Sequence, residues 1–99
     1  MSFVASSLRL SAGVIVWALH FSVIYGLTAL ACARAAAQAV PWVIGAATLV
    51  ASGVCVAIIV RELGRGPGFE SWLAAGLAVL ALLAVLWEAL PVLMVAPCV

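Results

Sequence analysis

Three apolar runs, each roughly the twenty residues that cross a hydrocarbon core of about 30 Å, alternate along this chain with short polar stretches. The first run covers Leu10 to Cys32, carries no formal charge, and is interrupted near its middle by His20. Arg34 closes it, and Ala35-Ala36-Ala37-Gln38-Ala39-Val40 forms a weakly polar connector over 33–40. Pro41 then starts a second run, at a position in a helix's first turn where its missing N–H is harmless. Trp42 follows at the level where indoles favour the headgroup boundary. This second span is predicted over 41–60 and is stopped by Arg61-Glu62 and by the helix-breaking Gly64-Arg65-Gly66-Pro67-Gly68 within the connector 61–70. Phe69 and Trp72 bracket Glu70-Ser71, an acid and a potential capping hydroxyl at a helix start. The third span is predicted over 71–93, with Pro91 bending or ending it.

The fold class predicted from this pattern is all-α: an integral membrane bundle of three transmembrane helices forming one membrane domain, residues 1–99. Met1 to Arg9 reads as a short tail, at most an added helical turn at the membrane surface. Composition agrees with that solvent: 70% of the 99 residues are hydrophobic and 7% are charged, too few to cover a water-soluble surface. The four cations and three acids form no basic run, which excludes nucleic-acid binding and leaves membrane lipid as the expected surroundings. Soluble partners are not indicated either way.

Ala31-Cys32-Ala33 resembles a small-residue cleavage site, but the run before it exceeds a signal core in length and holds His20 and Tyr25; the segment is expected to stay in the mature protein. Three spans put Arg9, Arg61 and Arg65 on one side and Arg34 alone on the other. That bias predicts a cytoplasmic N-terminus and a periplasmic C-terminus in a multi-pass protein of the bacterial inner membrane.

On this topology Cys32 and Cys98 reach the same outer boundary, and a disulfide between them would close most of the chain, an effect of about 4–5 kcal/mol in the chain-entropy picture. The alternative keeps Cys32 as a small packing residue and Cys98 as part of a tail. Cys55 reads as packing. The cysteine spacing matches no metal motif, and one His is a weak basis for haem, so no cofactor is expected.

Glu88 is the most informative single residue, because a charge at a helix centre costs about 2.5–3.5 kcal/mol on insertion scales. Ala74, Ala78, Ala81, Val85 and Glu88 recur at helical spacing, placing the acid on a small-residue stripe suited to close helix contact. Counted from Leu82, Glu88 lies about 9 Å beyond the midplane. This depth matches Tyr25 and Thr28 better than His20, so a Tyr25–Glu88 hydrogen bond is expected in preference to a His20–Glu88 pair. His20, sharing a face with Gly13, Trp17, Ile24 and Leu27, is expected to be neutral and hydrogen-bonded to Ser52 or Thr48. Trp42 and Trp72 read as interface anchors, Trp17 and Trp87 as helix contacts.

Trp17-Ala18-Leu19-His20-Phe21, Tyr25 and Ala31-Cys32-Ala33-Arg34, with Trp87-Glu88-Ala89-Leu90-Pro91 and Pro97-Cys98, resemble a family of small uncharacterised proteobacterial membrane proteins. That family is found with haem-copper cytochrome c oxidase genes and copper-assembly factors. The match covers both ends, about a third of the residues, and the family has no established catalytic residues to transfer. The resemblance implies a setting: an accessory subunit or assembly partner of a larger inner-membrane complex of the respiratory oxidase type. No nucleophile–base pair, carboxylate pair, phosphate loop or metal set points to an enzyme. Two other readings compete: a homo-oligomeric proton-coupled transporter or channel with Glu88 as carrier, and a phage-type pore former, which lacks the charged tail usual there.

Overall fold

The computed structural model describes residues 2–95 and Cys98. It contains α1 (Phe3–Ala33), a short 3-10 turn (Ala37–Ala39), α2 (Val40–Leu63) and α3 (Phe69–Met94), with no strand among the described residues. All three helices are long and apolar enough to cross a membrane. The chain is thus a multi-pass, all-α membrane protein, as its hydrophobic pattern requires.

Local chemistry sets the helix ends. α1 starts well before the apolar run because the Ser2 side chain caps it, accepting a hydrogen bond from the Ala5 amide at 3.1 Å. Residues 3–9 therefore continue the first helix and are not a separate tail. At the other end the Arg34 and Ala36 amides donate to the Leu30 and Ala31 carbonyls. Ala35 turns the chain with φ of 54°, a left-handed conformation more often filled by glycine. Pro41 sits in the first turn of α2. The connector after α2 turns at Gly66, whose φ of 104° suits a residue without Cβ.

α3 differs from expectation at both ends. Its N-cap is Gly68, without a side-chain cap, so Ser71 is released for another task. Pro91 does not end the helix, which continues to Met94. A proline within the last turn removes only one hydrogen bond, and the Val95 amide still donates to the Pro91 carbonyl.

The bundle is organised around α3, which packs against both other helices through a stripe of small buried residues: Ala74, Ala75, Ala78, Ala81, Val85 and Ala89. Small side chains let backbones approach in lipid, where van der Waals packing and interhelical hydrogen bonds replace the hydrophobic effect as the drive for association. The closest approach is at Gly13 of α1: a Cβ built there would lie 2.8 Å from the Ala78 Cα. A larger core, Ile24, Val40, Ile44 and Ala89, fills the disulfide-side half. The bulky residues point outward. Trp42 and Trp72 are exposed near helix starts, and Trp87 is 76% exposed. Its position two residues beyond Val85 turns it away from the buried stripe.

The Gly13–Ala78 contact carries a test. Gly13→Ala is expected to destabilise the bundle by about 1–3 kcal/mol through overpacking, read as a lower midpoint of thermal unfolding in detergent. Gly26→Ala, where the added Cβ meets nothing within 4 Å, should leave that midpoint unchanged or raise it slightly.

Candidate functional site

Two clusters of polar side chains join the helices at different depths. The inner one draws on all three. Trp17 of α1 donates its indole N–H to Glu88 Oε1 of α3 at 2.7 Å. One turn along α1, His20 Nε2 lies 3.0 Å from Thr48 Oγ1 of α2, while its Nδ1 faces Glu88 Oε2 at 3.4 Å. The His20 side chain is fully buried and that of Glu88 is 14% exposed.

The contacts constrain where protons sit. With a neutral imidazole protonated on Nδ1, the Thr48 hydroxyl donates to Nε2 and the Nδ1–H points at Glu88. With an imidazolium, both ring nitrogens donate, and Thr48 becomes the acceptor. Either arrangement makes a chain from Thr48 through His20 to Glu88 and on to Trp17. At 3.4 Å the central link is open: His20 Nδ1 and Glu88 Oε2 are buried and neither makes a hydrogen bond.

Two expected partners lie elsewhere. Tyr25 does not reach Glu88; it is 52% exposed and packs against Phe21, the rings tilted by 44° with centroids 4.6 Å apart. Five residues separate it from His20, which at about 100° per residue turns it some 140° around the helix, toward lipid. Depth counting alone misses that rotation. The register of α1 on α3, set where Gly13 meets Ala78, leaves Glu88 about three residues of helical rise from His20, within side-chain reach. Ser52 is not the partner of His20 either; Thr48 is, and Ser52 Oγ is buried without a hydrogen bond.

The second cluster lies at the N-terminal end of α1, among charged residues that the sequence marks only as helix ends. Arg9 donates through Nε to both Glu62 oxygens at 3.1 and 3.2 Å and through an Nη to Oε1 at 2.6 Å. The same Nη reaches Ser71 Oγ at 3.1 Å. Glu70 lies 3.6 Å from the other Nη, and Arg65 Nε lies 3.4 Å from Glu62 Oε1. The Glu62 carboxylate is wholly buried and Arg9 is 13% exposed. The Arg9–Glu62 pair is thus the buried heart of the cluster, where an unpaired charge would be costly, while Glu70 and Arg65, 37% and 44% exposed, sit at its rim. One signal for this cluster was available: a three-span path brings Arg9, the Arg61–Arg65 segment and the start of α3 to one end of the bundle. Read only as orientation markers, those residues conceal their pairing.

At the opposite end Cys32 and Cys98 are joined in a disulfide, with Cα atoms 5.5 Å apart and a sequence separation of 66. Cys55 is a buried free thiol. Among the described residues no three His, Cys, Asp or Glu side chains converge in a set able to hold a metal ion.

This geometry defines a class: a three-helix membrane protein fastened by a central His–Glu cluster, an arginine clamp at one end and a disulfide at the other. Comparison with protein-family models, curated proteins and solved structures finds no match to this chain.

The arginine clamp can be tested by a double-variant cycle. Arg9→Ala and Glu62→Ala should each lower the unfolding temperature, because each leaves an opposite charge buried and unpaired. The double variant is expected to unfold no earlier than the less stable single variant, the sign of direct coupling.

Proposed function

We propose that this chain is a small accessory subunit or assembly partner of a larger inner-membrane complex, of the respiratory oxidase type that its sequence resemblance implies, and not an enzyme in itself. The observation that carries the reading is where the polar groups are spent. Arg9 binds Glu62 and Ser71, Trp17 binds Glu88 and His20 pairs with Thr48, so most of the chemically capable side chains are spent on joining helices. What the bundle offers outward is apolar: Leu49, Val50, Leu80, Leu83, Trp87 and Leu90 are all more than half exposed. Such a surface suits lipid and the flanks of other membrane helices. The arginine bias supports an N-terminus in the cytoplasm, with the Cys32–Cys98 bond on the periplasmic side, where disulfides persist.

An N-terminally tagged chain, solubilised gently from its native membrane, is expected to bring down subunits or assembly factors of a respiratory oxidase. Recovery of the chain alone under conditions that keep the oxidase intact would overturn the reading.

A second reading has one observation in its favour: the central acid faces a titratable imidazole and also borders a groove open to the membrane. These are the parts a homo-oligomeric proton-coupled transporter would need. On that reading, Glu88→Gln abolishes proton-coupled flux in liposomes while leaving assembly intact.

A further inference from the structure

Between α1 and α3 runs a groove of about 590 Å³, lined by Trp17, Leu83, Ala84, Trp87 and Glu88. Its size falls in the range of small-molecule sites, which combine mainly apolar walls with a few placed polar groups. Here the walls are two indoles and aliphatic side chains, and the polar group is the carboxylate of Glu88, whose side chain is 14% exposed, with Oε2 buried toward His20 and Oε1 beside the Trp17 indole N–H. Glu88 has no arginine within reach. Arg9 is committed to Glu62 and Glu70, and the nearest other cation along α1, Arg34, is about 20 Å farther on by helical rise.

We propose that this groove is a binding site for a lipophilic organic monocation, held by the Glu88 carboxylate and the faces of Trp17 and Trp87. Three observations select this ligand class. An ionised Glu88 beside a neutral His20 gives the cluster a net negative charge in a medium that strongly penalises it, and a cation in the groove cancels that charge. Indole faces attract cations within about 6 Å of the ring, most effectively when water is absent. Trp87 stands 76% exposed on the groove's rim without a packing role in the chain. A small hydrated ion would lose its water shell on entry, whereas a delocalised organic cation partitions into the bilayer and reaches the groove from the side.

The same geometry gives the site a proton dependence. The groups facing the acid are Trp17 and His20 from α1, and Thr48 of α2 reaches it only through His20. A proton added to Glu88, or to His20 to make an imidazolium, supplies internally the charge the ligand would bring. Bound cation and added proton are therefore competitors. The site draws on the Glu88 chemistry of the transporter reading, but binding requires no flux, and an assay on the isolated chain is independent of both the flux and co-purification outcomes.

The test uses the purified full-length chain in detergent, with tetraphenylphosphonium as the probe and equilibrium dialysis as the readout. Saturable binding of one probe per chain is expected, weakening as pH falls. Glu88→Gln should weaken it at least about tenfold, the scale of losing a desolvated charge partner. Trp87→Leu, a change at an exposed position that leaves the core intact, should weaken it by roughly 2- to 30-fold. Trp42→Leu, at an indole 81% exposed at the start of α2, should have no effect. The uncharged analogue tetraphenylsilane should show no saturable binding. Equal binding of the neutral analogue, or undiminished binding by both Glu88→Gln and Trp87→Leu, would overturn the proposal. So would absence of binding to the wild-type chain, which would leave the groove to a basic side chain of a partner helix.

Discussion

Hydrocarbon supplies no hydrogen bonds, and that single property of the solvent shapes nearly every polar contact in this protein. A buried carboxylate in lipid needs a donor from another helix or a proton of its own. Glu62 finds Arg9 and Glu88 finds Trp17, so each acid becomes a point at which α3 or α2 is fixed to α1. The interhelical partners that make the acids tolerable also set the mutual rotation of the helices. Packing then completes what the polar contacts begin, through the alanine stripe of α3 and the close seat of Gly13 on Ala78.

The architecture is legible in the residues because lipid leaves so few options. Apolar runs of spanning length can only be helices, Pro41 and the Gly64–Gly68 segment mark where they break, and small residues at helical spacing mark the face that packs. The stripe Ala74, Ala78, Ala81, Val85 is buried as that spacing implies. The pairings within the site are less legible, for a geometric reason. Depth along a helix can be counted, but two residues at equal depth meet only when their rotation and side-chain direction also agree. Tyr25 satisfies the count and fails the rotation; Trp17 falls on the other side of the midplane from Glu88 by the count, yet the two long side chains meet. Thr48 and Ser52 stood equal by sequence because one helical turn separates them, and only the register of α1 on α2 decides between them. Arg9 escaped notice for another reason: a charge at a span's end has a sufficient explanation in topology, and its structural role is hidden behind it.

Functionally, the molecule separates its chemistry by depth. The arginine clamp pairs a buried Glu62 with a nearly buried Arg9 at one end of the bundle, suited to holding the helix ends in place. The central cluster is left unfinished, with an imidazole nitrogen and a carboxylate oxygen facing each other slightly too far apart to bond. That incompleteness sits beside a groove reached from the membrane, whereas the opposite, α1–α2 groove of about 470 Å³ is walled almost wholly by aliphatic side chains around His20. The imidazole thus lies between a purely apolar recess and an acidic one, and its protonation state decides how different the two recesses are in charge.

The bond between Cys32 and Cys98 has a topological meaning beyond local fastening. It converts a linear polypeptide into a covalent ring that contains both connectors, α2 and α3. A protease cutting once in either connector would therefore open the ring without releasing a fragment, and the helices would stay tethered until the sulfurs were reduced. For a protein whose three helices are joined by two short connectors, this makes its persistence in the membrane depend on the thiol–disulfide balance of one compartment as much as on the packing within the bilayer.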